Sequence, residues 1–93
     1  MALHPDYFLT LKEVQDSYPE YLFPRLLEDG SVAAILPLMF TTSIVLGLNP
    51  YGFEYRFCFK HADDAIAQLT LLKTMEDIPT GFIAHRPEYR VVS

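Results

Sequence analysis

The sequence predicts an α+β fold: an antiparallel β-meander of about four strands, one main amphipathic helix packed on one face, and an N-terminal arm or short helix. An uncharged stretch of 23 residues, from Ser31 to Phe53, combines strand-forming residues with turn signals. An alternating aromatic segment follows at 53–59, and a stripe of apolar residues at helical spacing follows at 62–74. Together these segments predict a small sheet with one covering helix.

The N-terminal segment predicts a short helix. Thr10 and Glu13 have the spacing of a capping box, in which each side chain bonds the backbone of the other residue. Pro19 ends this helix. Because Pro24 has no N–H to donate, the strand that leads into Asp29-Gly30 is expected at an edge of the sheet.

The uncharged stretch has two interpretations. Its length matches a transmembrane helix, and a small membrane protein that spans at residues 32–48 is one of the alternatives. Pro37 and Gly47 interrupt the stretch, and the preceding Asp29-Gly30 is typical of a two-residue type I′ hairpin turn. These signals favour two buried strands, so no membrane partner is predicted.

These two strands are expected at 32–39 and 43–48, joined at Thr41-Thr42. Residues 32–39 are apolar on both faces, which predicts that both faces of the sheet are covered. The main helix covers one face. Residues 1–23 or a second copy of the chain must cover the other.

The clearest strand is expected at 53–59. Alternation places four aromatic residues on one face and three other residues on the opposite face. The first set is Phe53, Tyr55, Phe57 and Phe59, and the second is Glu54, Arg56 and Cys58. The helix at 62–74 is expected to lie across the aromatic face.

A chain of 93 residues predicts a single domain. Its expected parts are an N-terminal arm or short helix at 1–24 that packs on the domain, a core of meander and helix at 25–86, and a C-terminal tail at 87–93.

Composition argues against several classes of function. The net charge of −5 and the lack of a basic run disfavour nucleic acid as a partner. A lone cysteine, Cys58, rules out an internal disulfide and favours a reducing compartment. Residues 1–25 lack a basic region followed by an apolar one, so the expected localisation is cytoplasmic.

A resemblance lies in three segments, Leu38–Gly47, Tyr51–Phe59 and Pro79–Ile83, together with the helix around Ala65-Ile66. In their turn glycines, strand aromatics and helical stripe they resemble small uncharacterised proteins of bacteria and of their phages or mobile elements. The resemblance covers residues 25–86 and implies a bacterial cytosolic setting. It transfers no catalytic residue, because none is assigned in that group.

The leading segment is rich in aromatic residues, which predicts either an interaction surface or a cap on the open face of the sheet. These residues are Tyr7, Phe8, Tyr18, Tyr21 and Phe23.

A polar groove is a weaker candidate. Its residues would be Glu54, Arg56, His61, His85 and Arg86. A solvated sheet face is the favoured alternative. Beside His61, the acids Asp63 and Asp64 are better explained by the dipole of a helix start than by a metal site.

The sequence shows no phosphate-binding loop, Ser-His-Asp order or zinc-finger spacing, so no catalytic, cofactor or metal-binding residue is predicted. Cys58 is expected to be a buried structural residue rather than a nucleophile. The leading hypothesis is a small cytosolic interaction or regulatory module that binds protein and self-associates, with a dimer as the first expectation. Another alternative is a ligand-binding protein or enzyme with a polar pocket near His61, Glu54 and Arg56.

Overall fold

The computed structural model describes residues 8–87, with two helices and five strands. The elements are α1 (Leu11–Ser17), β1 (Leu22–Leu26), β2 (Val32–Pro37), β3 (Thr42–Leu46), β4 (Tyr55–Phe59), α2 (Ala62–Leu69) and β5 (Ala84–Pro87). The strands form one antiparallel sheet in chain order, β1 to β5. The predicted α+β meander is confirmed, and β5 adds a strand to the four expected. Residues 1–7 and 88–93 of the arm and tail lie outside the described residues.

The capping box forms as predicted at the start of α1. The Glu13 N–H donates to Thr10 Oγ1 at 3.1 Å, and the Thr10 N–H donates to Glu13 Oε1 at 2.9 Å. Val14 is buried, and it anchors the helix on the sheet.

The β1–β2 connection is longer than the predicted two-residue turn. The Leu27 N–H donates to the Ser31 carbonyl at 2.8 Å, so the loop contains Glu28, Asp29 and Gly30. The Gly30 N–H donates back to the Leu27 carbonyl at 3.0 Å, and Gly30 has a φ of 91°. A three-residue loop that ends in a left-handed glycine is the next common hairpin solution after the type I′ turn.

The β2–β3 connection also differs from the prediction. Pro37 pairs with Thr42, and the Leu38 N–H donates to the Thr41 carbonyl at 2.8 Å. The turn therefore lies at Met39 and Phe40, two positions before the predicted Thr41-Thr42. The two-residue turn at 39–40 explains why β2 ends at Pro37 and does not reach Met39.

The aromatic alternation holds from Tyr55 onward but fails at Phe53. Phe57 and Phe59 lie in the core beneath α2, with Tyr55 packed against it, whereas Phe53 packs on the opposite face. The strand begins only at Tyr55, after a turn in which Gly52 has a φ of 138°. The regular alternation of strand side chains does not extend through that turn.

Helix α2 is shorter than predicted, ending at Leu69 instead of Thr74. The chain continues in tight turns, with the Leu72 N–H donating to the Leu69 carbonyl, and Leu72 remains in the core. The apolar periodicity therefore continues past the end of the helix. Arg25 of β1 holds this end by donating hydrogen bonds to the carbonyls of Leu69 and Leu72.

Both faces of the sheet are covered by the same chain. The first core cluster lies between the sheet and α2 and includes Ala33, Ile35, Ile44 and Phe59. The second cluster includes Val32, Ala34 and Val45 of the sheet, covered by Leu9 and Val14 with Tyr18 and Tyr21 packed against them. Of the two predicted covers, residues 9–21 of the chain itself occupy the second face.

Candidate functional site

The most unusual surface of the molecule is an exposed apolar corner, formed where β1 begins and β2 turns into β3. We define the apolar corner as Leu22, Phe23, Leu38, Met39 and Phe40. Leu22 pairs with Ile35, one strand across and three residues before Leu38. With strands about 4.8 Å apart and residues about 3.3 Å apart, the Cα atoms of Leu22 and Leu38 lie roughly 11 Å from each other.

The tip of the β2–β3 hairpin is the most exposed part of the corner. Met39 and Phe40 are 86% and 87% exposed, the highest values among the exposed large apolar residues of the described chain. Neither side chain contributes to either core cluster. Because these two side chains remain in water, they contribute almost no hydrophobic burial energy to folding.

Phe23 is exposed for a different reason. The register between β1 and β2 shifts between Leu22 and Arg25, and at this irregularity Phe23 has a φ of 51°. A left-handed conformation costs a non-glycine residue about 1–2 kcal/mol. The ring nevertheless remains 61% exposed, so its burial in the core does not explain this conformation.

The corner carries apolar area but no charge. If each large side chain presents about 200 Å² when fully exposed, the exposed fractions leave roughly 600 Å² of apolar surface in water. That area is at the upper end of the largest patch on a typical monomer. The two segments that form it, 21–24 and 36–43, contain no charged residue, although the whole chain has a net charge of −5.

The predicted aromatic surface is only partly present. Tyr18 and Tyr21 stack with ring centroids 6.0 Å apart, and both are half-buried against the second core cluster. Phe8 is half-buried as well, and Tyr7 lies outside the described residues. Of this set, Phe23 alone is classed as exposed among the residues that the structure describes.

The predicted groove residues Glu54 and Arg56 have different surroundings. The guanidinium carbon of Arg56 lies 5.8 Å from the centroid of the Phe53 ring, and its buried Nε has no hydrogen-bond partner among the described residues. Glu54 accepts a hydrogen bond from the Asn49 amide at 3.1 Å, and burial raises the pKa of its carboxyl. Both groups are half-buried, and neither lies on the solvated strand face that the sequence favoured.

The remaining groove candidates are spread along the sheet. His61 is exposed at the start of α2 and makes no capping hydrogen bond with its side chain. It is seven residues from Glu54 along an extended strand, hence roughly 20 Å away. His85 and Arg86 occupy register positions opposite Phe57 and Arg56 in β5. A single pocket containing both Glu54 and His61 is therefore not formed.

A shallow cleft of about 130 Å³ lies on the α2 face. Its lining is largely apolar, from Tyr55, Phe57, Met75 and Ile78, with Glu76 and Asp77 also contributing. The Asp77 carboxylate accepts hydrogen bonds within the turn at 73–77. Amide hydrogen bonds from Lys73 and Thr74 lower the pKa of the Asp77 carboxyl. The cleft thus presents few free polar groups that could orient a substrate.

The described part of the chain contains no candidate metal site and one free thiol. No group of three or more His, Cys, Asp or Glu side chains within it could hold a metal ion. Cys58 is free and half-buried in β4, opposite Ser43 and Ala84.

Neither described helix has the length and apolar content that crossing a membrane requires.

Comparison with known proteins gives no assignment: no protein-family model matches the chain, and no curated protein or solved structure does either. The resemblance to small bacterial and phage proteins therefore stays a prediction.

Sequence reasoning missed Met39 and Phe40 because it extended the buried strand through Met39. Neither residue is the Gly, Asn or Asp that typically marks a two-residue turn, so the sequence carries no clear signal for a turn there.

Proposed function

We propose that this protein acts as a protein-interaction module that binds its partner through the apolar corner. The observation that supports this proposal is that five of the ten exposed large apolar side chains of the described chain lie in two uncharged segments at one end of the sheet. Exposed apolar areas of this size mark interaction surfaces in soluble proteins. Depletion of charge and enrichment in aromatic residues and methionine are typical of an interface centre.

The proposed setting is the cytoplasm, where the free thiol of Cys58 is compatible with reducing conditions. The proposed partner class is protein and not nucleic acid, because the acidic chain offers few cations for phosphate contacts.

The test is capture of bound protein with matched surface variants. A Met39→Ser/Phe40→Ser double variant removes the tip of the corner, and a Leu71→Ser/Ile78→Ser double variant removes two other exposed apolar residues elsewhere. All four side chains are at least 67% exposed, so both variants should keep the fold and the unfolding midpoint.

Each tagged protein is immobilised, incubated with lysate from a native host and washed, and the retained proteins, including untagged copies of the chain, are quantified by mass spectrometry. We expect the wild type and the Leu71→Ser/Ile78→Ser control to retain the same proteins and the corner variant to lose them. Equal retention by all three would overturn the proposal.

A further inference from the structure

We propose that the occupant of the apolar corner is a second copy of this chain, packed corner to corner about a two-fold axis with Phe23 as an anchor. This inference rests on the proposed function and names its partner. Two features of the corner favour a copy of the same chain, and a third indicates how the two copies would pack.

The first feature is area. A standard interface buries about 800 Å² on each partner, and up to about 65% of a homodimer interface is apolar. The apolar part of such an interface is therefore about 500 Å² on each side. The roughly 600 Å² that the corner exposes meets this requirement without any rearrangement of the fold.

The second feature is charge. In a two-fold interface the same patch meets itself, so a charge near the axis would face a like charge. Two chains with a net charge of −5 each repel one another in general. The uncharged segments 21–24 and 36–43 form a surface on which two copies can meet with their acidic residues kept outside the contact.

The third feature is the edge strand itself. A second copy could in principle extend the sheet by pairing with β1. However, Pro24 has no N–H to donate, and the irregularity at Phe23 breaks the edge. Side-chain packing is therefore favoured over strand addition. The left-handed backbone at Phe23 presents the ring in a position that a regular strand would not give it.

The first experiment is sedimentation velocity of the purified full chain over a concentration series around 10 µM, in the affinity range of transient dimers. We expect a concentration-dependent monomer–dimer equilibrium. Phe40→Ser should weaken the dimer by about tenfold or more, as removal of an interface anchor does. The control Ile78→Ser should leave the dissociation constant within about twofold, because surface substitutions outside an interface are nearly neutral.

The second experiment compares Phe23→Gly with Phe23→Ala. Both variants remove the ring, so both should weaken the dimer by a similar factor. Glycine adopts a φ of 51° without the steric cost that alanine has, so the glycine variant should unfold at the higher urea concentration. In a regular strand the alanine variant would instead unfold at the higher urea concentration.

A wild-type chain that stays monomeric throughout the series would overturn the self-association, as would equal weakening by Phe40→Ser and Ile78→Ser. If capture from lysate still depends on Met39 and Phe40, the proposed function survives and its partner is a different protein. A Phe23→Ala variant more stable than Phe23→Gly would refute the role assigned to the backbone of Phe23.

Discussion

Asp29 should be a main stabilising residue of the loop region, and its removal tests the fold most directly. Its Oδ1 accepts hydrogen bonds from the Ser31 N–H at 3.0 Å and the Ser31 hydroxyl at 2.6 Å. Its Oδ2 accepts from the Met75 N–H at 3.0 Å, 46 residues away in sequence. One carboxylate thus shapes the β1–β2 loop and ties it to the segment after α2.

The expected loss can be estimated from these bonds. At about 1 kcal/mol net for each of three hydrogen bonds, Asp29→Ala should lower the free energy of unfolding by about 2–3 kcal/mol. That is a large part of the stability of a small domain. Asn has one oxygen and one NH₂ group, so in Asp29→Asn only one of the two donors' sides, Ser31 or the Met75 amide, keeps its acceptor. The free energy of unfolding should therefore fall by about 1–2 kcal/mol.

The pH dependence gives a sharper test. Burial raises the pKa of Asp29, but the hydrogen bonds from Ser31 and Met75 outweigh it and hold the pKa below its ordinary value of 3.8. A lowered pKa in the folded state means that the stabilisation is present above pH 3.8 and is lost as the pH falls through the folded value. The difference in stability between wild type and Asp29→Asn should therefore be largest at pH 7 and shrink toward pH 2–3.

Urea unfolding monitored by circular dichroism at pH 7 and at pH 2.5, at one protein concentration, measures this difference. An exposed acid in the first turn of α2 supplies the control, since Asp64→Asn should change stability by less than about 1 kcal/mol at pH 7. A gap between wild type and Asp29→Asn that stays constant with pH would refute the role of the carboxylate charge. A gap within error of the Asp64→Asn effect would refute the network itself.

Two further substitutions test how the end of α2 and the segment after it pack against the sheet. Gly47→Ala should lower the free energy of unfolding by about 2–4 kcal/mol in the same urea assay. The backbone φ is +74°, and the new Cβ would lie 2.9 Å from Glu54 Cγ and 3.0 Å from Met75 Sδ. A loss below about 0.5 kcal/mol would show that this close approach is not real. Arg25→Met keeps the apolar stem but removes the donors to the carbonyls at the end of α2, so it should cost about 1–3 kcal/mol and speed amide exchange at the end of that helix. Unchanged exchange there would contradict the link between β1 and α2.

The sequence predicts those parts of the fold that depend on local patterns. The capping box at Thr10 and Glu13 needs only neighbouring residues, and it forms as expected. The prediction that both faces of 32–39 are covered holds for 32–35, where Val32 and Ala33 lie in opposite core clusters, but not for the exposed residues 37–39. Pro24 in the edge strand follows from its missing N–H.

The rest depends on relations that a periodic pattern does not contain. The left-handed backbone of Phe23 lies where the register of β1 against β2 shifts, and alternation along the strand does not predict such a shift. Phe53 changes face because the turn at Gly52 interrupts the alternation. Helix α2 ends at Leu69, where Arg25 donates tertiary hydrogen bonds, although the apolar spacing continues to Leu72.

The position of the apolar corner follows from the geometry of covering a sheet with few helices. Five strands about 4.8 Å apart are roughly 20 Å wide, whereas one helix with its side chains is about 10 Å across. Helix α2 begins beside the end of β4 and reaches Arg25 near the far end of β1, so it crosses its face diagonally. That path leaves the start of β1 and the β2–β3 tip without a cover, where Leu22 and Leu38 lie. A chain with only two described helices can close the centre of both faces but not every corner, and the uncovered corner is the one whose segments carry no charge.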